Sequence, residues 1–385
     1  MNYVICVPDG AADEPVPALG DRTPLAAAAM PNLARLAATG EVGRAATIPA
    51  GFPPGSDVGN LSILGYDPAR YHTGRAPIEA AAMGLRLAPD QVAYRCNLAT
   101  VSDDGIMVDF AGGHPTSETA APIIAALEAE LGGRDGISFH PGVQYRHILV
   151  APAALSDAEC TPPHDLIGQP AAYPTGPAAA RLNELMEASR AIVGRFDTEA
   201  TQIWLWGQGA QPELPPFRAT WGLDAALVSA VDLVRGLGAL ARILVVAVEG
   251  ATGWYDTNYE GKRDACLQTL ADGADLFLIH VEASDEAGHA GNLEAKVEAL
   301  ENWDRRIIGP LVEGLDSLGE WRLLLLPDHP TFLRTRTHTA DPVPYLLASS
   351  ARNGPGGTYS EAGTDRYSPV AGHSRMGRLV AVASS

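Results

Sequence analysis

Lysine is almost absent from this chain of 385 residues: Lys262 and Lys296 are the only two, so arginine carries nearly all of the positive charge. Arginine is suited to bidentate contacts with carboxylate or phosphate groups. Acidic residues outnumber basic ones by 46 to 27, which gives a formal net charge of -19. Nucleic acids and anionic membranes require a basic face, so we expect neither as a partner.

Cysteine is also scarce, and the four residues are widely spaced: Cys6, Cys96, Cys160 and Cys266. The absence of a CxxC pair argues against a disulfide framework and against a zinc knuckle. Long hydrophobic runs are missing as well, since the longest, residues 243–248, is too short to span a bilayer. The apolar segment "YVICV" near the start is interrupted at once by Pro8, unlike a signal peptide. We therefore expect a soluble, cytoplasmic protein.

Short apolar runs that end at polar residues predict the buried strands of a parallel sheet. These runs cover residues 3–7, 243–248, 276–281 and 323–326. Helices are predicted between them over residues 24–39, 261–271 and 293–308, the last with Asn292 as its N-cap. This alternation predicts an α/β fold with a mainly parallel sheet flanked by helices, in which ligands collect beyond the carboxyl ends of the strands.

Residues 87–170 have a different pattern. A possible hairpin over residues 92–101 and 105–110 is followed by a helix over 117–131 and a strand over 143–150. This order of elements is typical of an α+β domain. We therefore predict a smaller inserted α+β domain at residues 87–170 and a core domain formed by residues 1–86 and 171–385.

Aspartates and histidines follow three of the predicted strands, where the ligands of such a sheet should collect. Asp285 and His289 are four residues apart, so both can face one centre on a helical turn. Taken singly, each such side chain is as easily a solvated turn residue or a helix cap. Two divalent ions about 4 Å apart can activate an oxygen nucleophile and neutralise a phosphoryl group. Six side chains supply oxygen or nitrogen donors for such ions: Asp9, Asp285, His289, Asp328, His329 and His338.

The segment "GFPPGSDVGN" holds Ser56 between glycines and prolines, immediately before an apolar run. Three interpretations are open: a turn residue, the cap of a helix that begins at Asp57, or a nucleophile. A serine hydroxyl needs activation at neutral pH, and no GxSxG elbow indicates activation by a histidine. Coordination to a metal ion would activate it, and the rigid loop would hold it in position.

A set of motifs between residues 4 and 344 resembles a known family. The motifs are "VPDG", "PPGSDVGNLSILGYDP", "YHTGRAPIEAA", "GATGWYDTNYEGK", "EASDEAGHAGN", "LPDHPT" and "THTADPVP". In this order they resemble the cofactor-independent phosphoglycerate mutases of the archaeal-type branch, in the alkaline phosphatase superfamily. The resemblance implies an alkaline-phosphatase-like core and the interconversion of 3-phosphoglycerate and 2-phosphoglycerate through a phosphoserine intermediate.

The resemblance also implies roles for individual residues. Ser56 matches the serine that is phosphorylated transiently. One of two divalent ions is implied to bind at Asp9, Ser56, Asp328 and His329. The other is implied to bind at Asp285, His289 and His338. Manganese is the expected ion, with zinc, cobalt and magnesium as alternatives.

The implied substrate is a small phosphorylated carboxylic acid. The inserted domain is implied to hold its glycerate end and to close over the site, which would exclude the water that hydrolyses phosphoserine. Five side chains in matching segments are candidates for contacts with the substrate, although each is equally well explained as a surface group: Arg75, Arg95, Asn97, Arg146 and Lys262.

Other functions stay open on the sequence. Asn60 stands where many relatives have a histidine, and the serine loop also resembles a bacterial side branch, some members of which have been proposed to be homoserine kinases. The alternatives are a metal-dependent phosphotransferase or phosphohydrolase acting on another small phosphorylated metabolite, and a silent relative with a structural metal. No Walker P-loop, GxxxxGK[ST], is present to bind ATP. The sequence leaves the oligomeric state open, and also a contribution of His373 to the site.

Overall fold

The computed structural model describes residues 1–381. Within them the chain forms two compact units. The core unit contains Met1–His72 and residues 214–381, and the inserted unit is Thr73–Glu213. No helix in the described part of the chain has the combination of length and apolar composition that a bilayer span requires.

Strands and helices alternate along much of the chain. The strands are β1 (Asn2–Pro8), β2 (Glu41–Ala46), β3 (Gln91–Val101), β4 (Met107–Asp109), β5 (Ser138–His140), β6 (Arg146–Pro152), β7 (Gln202–Gly209), β8 (Ala225–Val228), β9 (Leu244–Val245), β10 (Leu276–Val281), β11 (Trp321–Leu325), β12 (Thr331–Phe332), β13 (Thr337–His338), β14 (Val343–Ser349) and β15 (Val370–Ala371). The α-helices are α1 (Pro24–Ala27), α2 (Pro31–Ala37), α3 (Ser56–Ile63), α4 (Pro68–Tyr71), α5 (Ala76–Ala82), α6 (Ser117–Leu131), α7 (Ala179–Val193), α8 (Phe217–Trp221), α9 (Asp232–Leu240), α10 (Tyr259–Ala271), α11 (Ala283–Ala290), α12 (Leu293–Asn302), α13 (Gly309–Leu318), α14 (Glu361–Thr364) and α15 (Ser374–Val380). A π-helical segment, Trp303–Ile308, joins α12 to α13.

The core unit is organised around one sheet with the strand order β15-β2-β14-β11-β1-β10-β8-β9. Neighbours from β11 to β9 run parallel, whereas β14 is antiparallel to both β11 and β2. Every residue of β10 is buried, as expected of a parallel strand that is covered on both faces. The predicted α/β fold with a mainly parallel sheet is confirmed.

The parallel register brings the carboxyl ends of three strands to the same edge of this sheet. Pro8 at the end of β1 lies opposite Val281 at the end of β10. Cys6 of β1 lies opposite Leu325 at the end of β11. The loops that follow β1, β10 and β11 therefore start side by side, and these loops carry the predicted metal ligands.

Two predicted elements of the core unit differ in the structure. The single helix expected over residues 24–39 is divided into α1 and α2, because Met30 has φ -120 and ψ 68, outside the helical region. A proline disfavours helical dihedrals in the preceding residue, and Pro31 here begins the second helix instead of continuing the first. The strand expected over residues 243–248 is reduced to β9, an edge strand that pairs only with the short β8.

The inserted unit has an antiparallel sheet with the order β4-β3-β6-β5, and β7 pairs with β3. The predicted hairpin is present as β3 and β4, and the predicted helix matches α6. The unit extends beyond the boundaries drawn from the sequence at residues 87 and 170. It extends further because α7 packs on β7, and β7 pairs with β3 far away along the chain. The division into domains drawn from the sequence stays a prediction.

The start of the helix predicted over residues 293–308 is confirmed, with its cap, but the α-helix ends at Asn302 and residues 303–308 are π-helical. The Asn292 side chain accepts a hydrogen bond from the backbone N–H of Ala295 at 3.0 Å. This bond satisfies one of the N–H groups that have no partner within the first turn of a helix.

We predict that Asn292→Ala lowers the free energy of unfolding by about 1 kcal/mol, because it removes this cap. Asn292→Asp keeps an oxygen acceptor at the same place and serves as the control. Urea denaturation followed by circular dichroism measures both variants. Equal stability of Asn292→Ala and the wild type would show that the cap makes no contribution.

Candidate active site

Two groups of carboxylates and imidazoles lie at the carboxyl edge of the core sheet. The first contains Asp9, Asp328 and His329, and the second contains Asp285, His329 and His338. Within each group the potential ligand atoms all lie within 4.8 Å of one another, and His329 belongs to both. Carboxylate oxygens and imidazole nitrogens are the donors that manganese, zinc and related divalent ions accept.

The first donor group is built from the loops after β1 and β11. His329 Nε2 lies 3.6 Å from Asp9 Oδ1 and 3.5 Å from Asp328 Oδ2. Asn60 Nδ2 donates a hydrogen bond to Asp328 Oδ2 at 2.8 Å, and the backbone N–H of Gly10 donates to Asp328 Oδ1 at 3.2 Å. Asp328 is therefore fixed from two sides and keeps its orientation toward His329.

Asp285 of the second donor group lies on α11, which follows β10 and also carries His289 one turn later; His289 is a neighbour of this group and not one of its three members. His289 Nε2 lies 3.3 Å from Asp285 Oδ2, and His338 Nε2 lies 3.5 Å from Asp285 Oδ1. The two imidazole Nε2 atoms are 2.9 Å apart. His289 Nδ1 donates to the carbonyl of Arg336 at 3.0 Å, which leaves Nε2 as the ligand atom.

Ser56 lies beside the first donor group, with its Oγ 3.1 Å from His329 Nε2. It is the first residue of α3, and Gly55 occupies the N-cap position. The interpretation of Ser56 as the cap of a helix beginning at Asp57 is therefore wrong. Its hydroxyl faces the donor group instead, at a helix N-terminus that favours negatively charged ligands.

The electrostatics of the first donor group suit a cation. Asp9 is 1% exposed, and its Oδ1 accepts no hydrogen bond from any described residue. Burial, together with the charges of Asp328 and Asp285, raises the pKa of Asp9 well above its usual range. Burial lowers the pKa of His329 to about 4, so its imidazole is neutral and keeps a lone pair at pH 7. These residues fit a divalent ion, which would supply the missing positive charge.

The second donor group has a positively charged neighbour, His289. Burial alone would raise the pKa of Asp285, but hydrogen bonds from His289 and His338 outweigh it and hold that pKa well below its usual range. Burial also opposes protonation of His289, yet the bond to Asp285 raises the pKa of this imidazole to about 9. The metal-free site therefore stabilises the ionised form of Asp285 but disfavours the ionised form of Asp9.

Lys262 was predicted to contact the substrate, but in the structure its ammonium group is buried and paired with Glu282. Its side chain is fully buried, and Nζ donates to Glu282 Oε2 at 2.7 Å and to the carbonyl of His280 at 2.9 Å. Its role in substrate binding stays a prediction. His373 lies 4.0 Å from Asp67 and belongs to neither donor group.

The other four predicted substrate contacts lie in the inserted unit: Arg75, Arg95, Asn97 and Arg146. Glu79 accepts hydrogen bonds from Arg95 at 2.8 Å and from Arg75 at 3.1 Å. Trp206 Nε1 donates a hydrogen bond to Asn97 Oδ1 at 3.2 Å. The guanidinium of Arg95 lies 4.9 Å from the centroid of the Trp206 ring. Asn97 of β3 is opposite Arg146 of β6. The Nε atoms of Arg95 and Arg146 are buried and make no hydrogen bond within residues 1–381.

Comparison with known proteins identifies the family of this chain. A family model described as 2,3-bisphosphoglycerate-independent phosphoglycerate mutase matches residues 37–196. A curated protein of that name from Methanothrix thermoacetophila is 49% identical over 364 residues, which cover 91% of each chain. This chain belongs to that mutase family. Family membership and the two donor groups together imply the use of divalent metal ions.

Two solved structures are similar to this member of the mutase family over nearly the whole chain. A protein from Pyrococcus horikoshii is 26% identical with a TM-score of 0.77, and the match covers 98% of this chain and 96% of that one. The cofactor-independent phosphoglycerate mutase from Thermoplasma acidophilum is also 26% identical, with a TM-score of 0.61 and coverage of 98% and 99%.

Two side chains that contact the donor groups of this family member, Thr331 and His280, were not predicted from the sequence. Thr331 Oγ1 donates to Asp285 Oδ1 and lies 3.3 Å from His329 Nδ1, so it connects the two groups. Its only signal was its place three residues after Asp328. His280 was missed because it lies inside the apolar run of β10, where it has the pattern of a core residue.

We predict that Asp9→Asn raises the melting temperature of the EDTA-treated protein at pH 7 by a few degrees. The raised pKa means that the folded state disfavours the Asp9 carboxylate, so its destabilising effect grows as the pH rises above the usual value of 3.8. The increase in melting temperature caused by Asp9→Asn should therefore be small below about pH 4 and larger at neutral pH. Differential scanning calorimetry across this range measures it.

Asp13→Asn is the matched control, because Asp13 is equally buried but has a cation partner, Lys296 Nζ at 2.7 Å. Removing this carboxylate leaves a buried ammonium group unpaired, so we expect a loss of stability of about 3–5 kcal/mol. A loss of stability in both variants would contradict the unfavourable ionisation assigned to Asp9.

Proposed function

We propose that this protein is a 2,3-bisphosphoglycerate-independent phosphoglycerate mutase, an isomerase that interconverts 3-phosphoglycerate and 2-phosphoglycerate through a phosphoserine at Ser56. The observation that carries the proposal is the distance of 3.1 Å between Ser56 Oγ and Nε2 of His329, a residue that belongs to both donor groups. The names of the relatives support the choice of substrate. We propose the cytoplasm as the location, since these phosphoglycerates are intracellular metabolites.

The donor groups would hold two divalent ions, with manganese as the proposed ion and zinc, cobalt or magnesium as alternatives. One ion would be held by Asp9, Ser56, Asp328 and His329. The other would be held by Asp285, His289 and His338. When bound, such a pair lowers the pKa of an oxygen nucleophile and offsets the charge of the transferring phosphoryl group.

Ser56 acts as the phosphoryl acceptor in the first transfer. Its Oγ forms a bond to phosphorus while the bond between phosphorus and O3 of the substrate breaks, and the hydroxyl proton of the serine ends on O3. In the second transfer, O2 of glycerate bonds to phosphorus while the bond to Oγ breaks, and the proton of O2 returns to the serine. The two transfers balance without water or a bisphosphate, so glycerate must stay bound and turn between them.

Side chains of the inserted unit would bind the carboxylate and hydroxyl groups of glycerate: Arg75, Arg95, Asn97 and Arg146. Glu79 and Trp206 hold Arg95 in a fixed plane, which suits a bidentate contact with a carboxylate. Burial lowers the pKa of Arg95 only to about 10, so it stays positively charged at neutral pH. Lys262 is the fifth proposed contact, and reaching the substrate would require its ammonium group to leave Glu282.

The test of this function is incubation with 3-phosphoglycerate and Mn2+ in the absence of 2,3-bisphosphoglycerate, with enolase converting the product to phosphoenolpyruvate. Release of inorganic phosphate and the phosphorylation of homoserine by ATP are measured on the same preparation. We expect phosphoenolpyruvate to form and the other two products to stay at background. Absence of mutase turnover with manganese, zinc, cobalt and magnesium would contradict the proposal.

We predict that Ser56→Ala lowers kcat by roughly a thousandfold or more, because the phosphoryl acceptor is lost. Ser62→Ala is the control, since Ser62 is buried in the same helix and its hydroxyl makes no hydrogen bond within the described chain. This control should keep near wild-type kcat. The serine mechanism would be wrong if Ser56→Ala turned over at the wild-type rate.

A further inference from the structure

Four buried ionisable side chains form a continuous chain of contacts that starts at Asp9 and continues with His280, Glu282 and Lys262. His280 Nε2 lies 3.4 Å from Asp9 Oδ2, and His280 Nδ1 lies 3.1 Å from Glu282 Oε1. Glu282 Oε2 accepts a hydrogen bond from Lys262 Nζ at 2.7 Å. None of the four side chains is more than 2% exposed. We call them the Asp9 chain.

Regular structure holds the Asp9 chain in place. His280 belongs to β10 and lies opposite Val7 of β1, two residues before Asp9. Lys262 belongs to α10, which packs on β10. Ser229, which follows β8, donates to Glu282 Oε1 at 3.0 Å and lies 3.2 Å from His280 Nδ1. The imidazole of His280 is therefore held by contacts with Asp9, Glu282 and Ser229, which follow three different strands, β1, β10 and β8.

The Asp9 chain is poorly explained by stability alone. The desolvation of a buried ion pair such as Lys262 and Glu282 offsets most of its Coulomb attraction, so well-packed apolar residues would serve the fold as well. Lys262 and His280 nevertheless hold the pKa of Glu282 well below its usual range against the effect of burial. The carboxylate of Glu282 is thus kept charged at a defined place beside His280.

The two oxygens of Asp9 face different partners. Oδ1 lies 3.6 Å from His329 Nε2 in the first donor group, and Oδ2 lies beside His280 Nε2. Neither Asp9 Oδ1 nor His280 Nε2 takes part in a hydrogen bond within residues 1–381. The imidazole of His280, 3.4 Å from Oδ2, limits the rotation of the carboxylate by contact, and this directs Oδ1 toward the donor group. Partners of this kind commonly orient the ligands of metal sites.

We propose that His280, held by Glu282 and Lys262, is a positioning residue that orients Asp9 for metal binding at the first donor group. The proposal rests on the metal binding that the proposed function assigns to this group. Asp285 of the second donor group contacts Thr331 and its own two histidines. Loss of the Asp9 chain should therefore weaken one of two metal sites and leave the other unchanged.

The proposal separates two roles for Lys262. If Lys262 holds Glu282 and through it His280, its removal weakens the binding of metal in the absence of substrate. If Lys262 instead contacts the substrate, its removal raises KM for 3-phosphoglycerate and leaves the affinity for metal unchanged. The measurement therefore uses the metal alone.

The experiment titrates Mn2+ into the EDTA-treated full chain and determines the free ion by electron paramagnetic resonance. The variants are His280→Leu, which removes both ring nitrogens, and the double variant Lys262→Met/Glu282→Gln, which removes both charges of the pair together. We expect two Mn2+ sites in the wild type. In both variants one site should weaken by about 10- to 100-fold while the other keeps its Kd.

Two further variants make the result specific. Lys296→Met/Asp13→Asn removes a second fully buried ion pair of the described chain, also 2.7 Å long, which forms no hydrogen bond or ion pair with the side chain of Asp9 there, and the first site should keep its Kd. In an Asp9→Asn background, where the first site is already lost, His280→Leu should cause no further loss of Mn2+ affinity.

Several results would overturn the proposal. Unchanged Kd values at both sites in His280→Leu and in the double variant would do so, as would equal weakening of both sites. If Lys296→Met/Asp13→Asn weakened Mn2+ binding at the first site as much as His280→Leu does, the effect would come from a general loss of packing and not from the Asp9 chain. Variants that do not fold without metal would show that the Asp9 chain serves the fold. A wild type that binds two Mn2+ ions with the expected pattern but lacks mutase turnover would contradict the proposed function alone.

Discussion

Mutual repulsion among three buried carboxylates is the constraint on which the rest of the site depends. Asp9, Asp285 and Asp328 converge on His329 at the carboxyl edge of the core sheet, and within the described residues no lysine or arginine forms an ion pair with Asp9. Such a cluster is costly to bury unless a cation joins it. The three carboxylates lie close together because β1, β10 and β11 are parallel and end side by side, so that the loops after them start at the same edge of the sheet.

The two lysines of the chain both lie in buried ion pairs near the donor groups. Both lysines of the chain are fully buried, and each is paired with a carboxylate near the donor groups: Lys262 with Glu282, and Lys296 with Asp13. Lys296 also donates to the carbonyl of Thr331, whose hydroxyl contacts Asp285. Fixed positive charge is thus placed around the ligands and not on Asp9 itself. Asp9 is the carboxylate that we propose for a metal ion, and Ser56, 3.1 Å from His329, is the proposed phosphoryl acceptor.

Much of the fold and of the donor set could be predicted from local patterns. Apolar runs that end at aspartate predicted the strands, and the rule that parallel strands share a carboxyl edge predicted that Asp9, Asp285 and Asp328 would meet. The pairing of strands that are far apart in the sequence, such as β7 with β3, could not be predicted from local sequence patterns. His280 could not be distinguished from a core residue, because its partners Asp9 and Glu282 are defined only by tertiary packing.

The central claim is that Ser56, placed at the shared donor groups, carries the phosphoryl group between the two hydroxyls of glycerate. The most direct measurement is mass spectrometry of protein that has been acid-quenched during turnover of 3-phosphoglycerate with Mn2+. We expect one phosphoryl group on the peptide that contains Ser56, and none after treatment with EDTA. Turnover without any phosphorylated peptide, or with the phosphoryl group on another residue, would contradict the claim.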